Sequence, residues 1–223
     1  MTRAQLTSAR LTLRPVAAAD EAAVVAAMND LAVSGWLTPI PHPYTVEDFT
    51  AFQSDYAAAG ETYALHDQHG FVGVLGVEDR ILGYWLTPAA QGRGYATEAA
   101  RVALSEHFRV DQTPIVSGYF AGNHASANVL AKLGFVETGR DVRHCRALGK
   151  DRPHVTMALT YAGFQAALPV LASPRLTFRD LMPHDAPALH AIVSGWEVVR
   201  QLGSWPWPAD YDQTLARAVP YAG

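Results

Sequence analysis

The sequence predicts an α/β fold: a mixed, mostly antiparallel sheet with helices on both faces, followed by a strand-helix-helix appendage. Three observations carry this. Strand-like and helix-like stretches follow the order β, α, α, β, β, β, α, β, α, β, β, which mixes hairpins with crossovers and fits neither a doubly wound parallel sheet nor a sandwich. The stretch QGRGYATEA, Gln91 to Ala99, sits between a strand and a helix start. A segment near the N-terminus returns near the C-terminus, dividing the chain into a domain over 1–168 and an appendage over 169–223.

Taken in order, residues 11–15 alternate apolar and polar, the period of a strand. Residues 17–28 read as an alanine-rich helix with Asp20 and Glu21 near its positive end. Residues 34–45 hold three prolines and break regular structure; Thr45 and Asp48 then form a capping-box pattern for a second helix reaching about Ala59. Residues 62–66 and 71–77 are β-rich around a polar turn at 67–70, and a second tight turn is placed at Glu78 and Asp79, ahead of a strand over 80–86. From Ala96 the apolar positions Ala99, Ala100, Ala103, Leu104 and Phe108 keep helical spacing. A strand over 114–120, a helix from about Ala125 to Leu133 closed by Gly134, and strands over 135–143 and 154–159 complete the domain.

Composition narrows the function. The 17 Lys and Arg against 21 Asp and Glu leave a net charge of −4, without the basic footprint of a nucleic-acid binder. Cys145 is the only cysteine, which excludes an internal disulfide and a cysteine-based zinc site and fits a reducing compartment. His66, His69 and His144 have no third ligand arranged with them, so no metal is expected. The N-terminus lacks a signal-peptide stretch, and no apolar run reaches the roughly 18 residues of a membrane helix. The expectation is a soluble cytoplasmic protein without a membrane partner.

A strand entering a glycine-rich turn and then a helix presents backbone N–H groups with no intrahelical partner at the positive end of the helix dipole, a surface suited to a pyrophosphate. Gly92 and Gly94 permit positive φ and close approach, Ala96 keeps the first turn slim, and Arg93 adds a cation. Neither the Gly-Lys-Ser/Thr of a Walker loop nor the three-glycine dinucleotide fingerprint is present.

Gln91, Gly94 and Ala96 instead supply Q/R-x-x-G-x-G/A, and in this the chain resembles the GNAT N-acetyltransferase superfamily, whose acyl-CoA pyrophosphate loop has that pattern. GYWLTPAAQGRGYATEA, RLTLRP followed by an Asp, and GNHASANVLAKLGF resemble the branch that includes ribosomal-protein N-terminal (alanine) acetyltransferases. The resemblance covers about residues 8–168. It implies acetyl-CoA as co-substrate, with Gln91, Gly92, Arg93, Gly94, Tyr95 and Ala96 around its pyrophosphate. Its acyl arm would lie along Tyr84, Trp85 and Leu86, on a strand splayed from that of 114–120, with Asn123 and Ser126 beside the pantetheine and acetyl group.

Two departures from the family pattern bear on catalysis. Where many members carry a Glu ahead of G-Y-W, this chain has Ile81; Asp79, two residues earlier and expected on the same strand face, becomes the candidate base. Where many carry a tyrosine acid, it has Leu130. Trp36, His42 and Tyr44 lie in the loop where such proteins contact the acceptor amine, Tyr119 and His124 are further polar candidates, and Glu98 suits the helix dipole. These readings imply direct transfer of an acetyl group to a protein N-terminus or small-molecule amine. A non-catalytic acyl-CoA-binding sensor or scaffold is the alternative, and a nucleotide-binding module a third reading.

SARLTLRPVAAAD at 8–20 returns as SPRLTFRDLMPHD at 173–185, a spacing of 165 kept by Arg14 and Arg179, Pro41 and Pro206, and Pro43 and Pro208. The appendage therefore reads as a partial second copy, a strand and two helices that stop before any counterpart of QGRGYATEA. Such a fragment cannot bury its apolar faces alone. It is expected to dock on the first domain or support a homodimer; truncation of a tandem protein is the other possibility.

Overall fold

Strands form where the β-rich runs stand. Described residues of the computed structural model are 5–57, 61–169, 171–172 and 175–219; Ala59, Ser173 and Pro174 of the sequence reading lie outside them. The first strand is Thr12–Pro15 (β2), preceded by a short partner, Leu6–Thr7 (β1). Glu61–Asp67 (β3), Gly70–Glu78 (β4) and Ile81–Leu86 (β5) continue the antiparallel meander, and Ile115–Phe120 (β6), Val136–Cys145 (β7) and Lys150–Leu159 (β8) complete eight strands in the order β1-β2-β3-β4-β5-β6-β8-β7. Every registered pair in this sheet is antiparallel except β5 with β6.

The helices are Glu21–Met28 (α1), Leu31–Ser34 (α2), Val46–Phe52 (α3), Tyr95–Val110 (α4), His124–Lys132 (α5) and Tyr161–Ala167 (α6). The Thr45–Asp48 capping box starts α3 as expected, and Gly134 follows α5 at φ 91. The short α2, inside the proline-bearing segment, and α6 are additions to the sequence reading. So is the reach of the β7 and β8 hairpin, whose charged tip hides the strand period.

One sheet face carries Leu13, Leu65, Leu75, Leu82, Ile115 and Leu159 against the alanine-rich stripe of α4 and Leu130 of α5. The other face packs Ala64 and Val74 against Val24, Met28, Val33 and Phe49 of the first three helices. Beyond these helices, over β6 and β8, the second face meets the segment after α2: Arg152 Nη1 and Cys145 Sγ both donate to the Gly35 carbonyl, and Arg146 N donates to Thr38 O. That segment and the end of the β7 and β8 hairpin form one wall.

Residues 1–168 and 169–223 are separate compact units. The second contains Leu171–Ala172 (β9) paired antiparallel with Thr177–Phe178 (β10), then Ala186–Val193 (α7), Trp196–Val199 (α8) and Tyr211–Arg217 (α9). Its three helices match α1, α2 and α3 at the 165-residue spacing.

Candidate active site

The turn between β5 and α4 adopts the conformation its glycines allow. Gly92 and Gly94 have φ of 73° and 81°, and Gly94 is the N-cap of α4. A Cβ at Gly92 would meet nothing within 4 Å, and one at Gly94 only Arg10 Nη2 at 3.5 Å, so glycine is needed for backbone angle and the space above the turn is open. The first-turn N–H groups of α4 point out of the helix end without intrahelical acceptors.

Side chains around the turn have local partners. Gln91 Nε2 donates to Leu86 O at 3.2 Å, tying the turn to β5. Arg93 lies over the Tyr95 ring at 4.6 Å with Nη1 3.3 Å from Asp67, and Tyr95 donates its hydroxyl proton to the same carboxylate at 3.0 Å. The Tyr95 and Ala96 side chains are buried in the core. Glu98 accepts from Ser8 and Arg10, fastening α4 to the N-terminal segment.

The sequence reading missed three cations beside this turn. Arg10, Arg101 and Lys132 line a cleft of about 480 Å³ together with Gly94 and Thr97. Arg101 Nε is buried there without a partner among the described residues. The spacing of Thr97 and Arg101 on one helical face was the available signal, but such a face is ordinarily a solvated one.

Strands β5 and β6 share a single registered pair, Ile81 with Val116. Val116 N donates to Arg80 O, and Ser117 Oγ to Leu82 O at 2.8 Å. Past these contacts the strands separate, opening a gap flanked by Tyr84, Trp85 and Leu86. Tyr84 points to the α4 side, its hydroxyl 2.8 Å from Ser126 Oγ, and burial pushes its phenol up to about 12. Trp85 points the other way, toward Phe71. Asn123 caps α5 by accepting from Ser126 N at 3.0 Å, so Tyr84, Asn123 and Ser126 form one cluster at the gap. Tyr119 packs against the core and His124 is exposed.

Two sequence expectations are corrected. Asp79 and Arg80, at φ 48° and 63°, form the β4 and β5 turn, and Glu78 pairs with Ile81. Asp79 is thus an exposed turn residue outside the strand; Glu78, which accepts from Thr62 Oγ1 at 2.8 Å, shares the face of Ile81. The turn lies one residue later than read because Asp-Arg lacks the glycine that marks such turns. Tyr44 is buried with Phe49 and Met28, its phenol pushed to about 12 by burial and by Asp48, so it is not an aromatic offered to an acceptor. His42 is exposed, Leu130 is fully buried, and Trp36 stands at the wall, where Arg152 lies between its ring (4.3 Å) and that of Phe120 (4.7 Å).

Among the described residues no group of three or more His, Cys, Asp or Glu is placed to hold a metal, and no helix is long and apolar enough to cross a membrane. The family model for the acetyltransferase (GNAT) domain matches residues 10–136. The chain belongs to the GNAT family. No curated protein matches it. Among solved structures, a GNAT-family acetyltransferase from Bacillus anthracis superposes with a TM-score of 0.61 at 20% identity, covering 70% of this chain and 98% of that one. The ribosomal-protein-S5-alanine acetyltransferase of Vibrio fischeri gives 0.57 at 19% identity, covering 73% and 99%. A spermidine N-acetyltransferase from Vibrio cholerae, in complex with CoA and spermine, gives 0.59 at 18%, covering 70% and 99%. These likenesses show a shared GNAT fold, and family membership supports N-acetyltransferase activity, with transfer of an acyl group from an acyl-CoA to an amine.

Proposed function

We propose that this GNAT protein is an acetyl-CoA-dependent N-acetyltransferase that passes the acetyl group directly to a primary amine, of a protein N-terminus or a small molecule, in a ternary complex. The observation that carries it is the pair of positive-φ glycines, Gly92 and Gly94, opening α4 beside the β5 and β6 gap. In this reading the backbone of 91–96 takes the pyrophosphate, Arg10, Arg101 and Lys132 add charge for the phosphates, and the arm runs through the gap past Tyr84, Trp85 and Leu86. Asn123 and Ser126 flank the thioester end, while Trp36 and His42 face the acceptor. Positioning supplies much of the rate, since a bound amine and thioester held within near-attack distance no longer pay for their encounter.

The non-catalytic acyl-CoA sensor has one observation in its favour: Leu130, at the family's tyrosine position, is core, so no acid stands there. The second unit serves as a docking or dimerisation appendage in either case, with the exposed Leu176, Phe178, Trp196 and Trp207 in support. Acetyl-CoA at a hundredfold excess over Kd is expected to stabilise the wild type by about 2.7 kcal/mol in a thermal shift measurement, with CoA acting similarly and ATP not at all. Gly94→Trp, which fills the space above the turn, removes the shift. A shift with ATP alone, or with none of the three, sinks the proposal; thiol release over a panel of amines then separates enzyme from sensor.

A further inference from the structure

The geometry points to His154 as the catalytic base that takes the proton of the attacking amine, with Asp141 as the residue that positions its ring. This rests on the acetyltransferase reading above.

His154 sits on β8 between two neighbours it pairs with directly, Phe120 on β6 and Asp141 on β7. It is 5% exposed. Its Nδ1 is 3.0 Å from Asp141 Oδ1, and Arg143 Nε donates to the other carboxylate oxygen at 3.1 Å, so the carboxylate is held in place. A carboxylate at Nδ1 fixes the tautomer with its proton there and leaves the Nε2 lone pair free to accept. No described residue bonds to Nε2.

The ring leans over Gly118, where a Cβ would overlap it and stand 2.7 Å from Nε2. Only glycine leaves it that place. Counting from the pair of Ile81 with Val116 sets Gly118 abreast of Gly83 on β5, and a Cβ at Gly83 would meet open space. The Nε2 edge therefore lies over Gly118, on the side of the open space at Gly83 across the splaying strands. It does so on the sheet face walled by Trp36, Arg152 and Phe120, opposite the α4 face. With Asp79 in the turn and Leu130 in the core, no residue inferred from the family pattern competes for this place.

Burial holds the imidazole below its ordinary value, Arg143 adds to this, and Asp141 opposes it, so the ring is neutral at pH 7. The charged groups facing it are Asp141 and Arg143 from β7 and Arg152 from β8; β6 offers only Gly118 and Phe120. In the step, the amine lone pair forms the bond to the thioester carbonyl carbon, and the N–H proton passes to His154 Nε2. The C–S bond then breaks, its electron pair leaving on sulfur, and the imidazolium returns the proton to that thiolate. The products are the N-acetyl amide and free CoA thiol, with the ring neutral again.

The test is thiol release against pH by the full chain as wild type, His154→Gln, Asp141→Asn and Glu78→Gln, with acetyl-CoA thermal shift as the check that each variant is folded and binds. The wild-type kcat is expected to level off above an apparent pKa at or below the ordinary histidine value. His154→Gln lowers kcat about 100-fold with KM for acetyl-CoA nearly unchanged, and its rate climbs with pH without levelling. Asp141→Asn, on a half-exposed carboxylate, keeps the fold and moves the limb to lower pH, because it removes the group that raises the imidazole; a merely structural role would leave that limb where it is. Retained kcat with an unaltered profile in His154→Gln, or loss of the limb in Glu78→Gln instead, overturns the proposal. Acetyl-CoA binding without thiol release by the wild type on any amine sinks the acetyltransferase reading and this proposal with it, whereas turnover that survives in His154→Gln sinks this one alone.

Discussion

Residues 6–52 and 171–217 build the same local structure and bury it differently. At the 165-residue spacing β1 and β9, α1 and α7, α2 and α8, and α3 and α9 have matching bounds. Arg14 grips Asp20 through both terminal guanidinium nitrogens, as Arg179 grips Asp185, and a cis X-Pro bond stands at Pro43 and again at Pro208. Inside each helix trio the contacts persist: Met28 and Phe49 are buried, and so are Val193 and Thr214. The strand face parts company. Leu11 and Leu13 are 3% and 0% exposed; their counterparts Leu176 and Phe178 are 59% and 54% exposed. In the first unit β3 and α4, from 61 onward, cover that face, and the described residues of 169–223 contain no counterpart of either. Caps, ion pairs and helix contacts are specified within a few tens of residues; burial of a strand requires the rest of a sheet.

The largest test of this contrast is truncation on the strand face. Leu13→Ala is expected to cost about 2–5 kcal/mol in urea unfolding, while Phe178→Ala stays within about 0.5 kcal/mol, as for a surface position. An equal loss at both sites would break the comparison and show that Phe178 is covered by a partner in solution.

Next in size is the buried carboxylate. Burial pushes Asp20 up, but Arg14, the Ala17 N–H and His66 outweigh it and hold the carboxyl below its ordinary value. A carboxyl depressed on folding stabilises above its unfolded pKa, and that contribution fades as pH falls toward and through the folded value. Asp20→Asn should therefore cost about 1–3 kcal/mol at pH 7, Arg14 being partly exposed, and the deficit should shrink below about pH 4. Asp185→Asn, in the exposed copy of the pair, is expected to change stability much less. Unfolding midpoints across pH for the two variants decide this, and equal deficits would contradict it.

Smallest, and equal in both units, are the caps. Thr45 accepts from Asp48 N and Asp210 from Gln213 N, so replacing either by Ala should cost about 1 kcal/mol in amide-exchange protection of its own helix. A cap effect confined to α3 would mean that α9 is held by something other than its own end.

Much of the fold was legible because its signals are periodic or punctuated. The α4 stripe, the Thr45 and Asp48 box and Gly134 all sit where sequence placed them. The turn ahead of α4 was legible for the same reason, since two glycines before a helix dictate a backbone shape with little tertiary help. The surroundings of Asp79 and Tyr44 were not. A one-residue error at Asp79 exchanged it with Glu78 on the strand face, because side chains alternate with period two. Tyr44 looked like an exposed loop aromatic until three helices closed over it.

Sequence by itself therefore determined the order of elements, the turn that opens α4, the caps and the local core of each helix trio, all of which depend on neighbours within a turn or a hairpin. Tertiary structure alone decided which faces are covered and which distant groups meet. Asp141 lies opposite His154 because the hairpin closes at Cys145 and Lys150, and His154 lies over Gly118 because β8 inserts between β6 and β7. Register and strand order are properties of the assembled sheet, and no single stretch of the chain carries them.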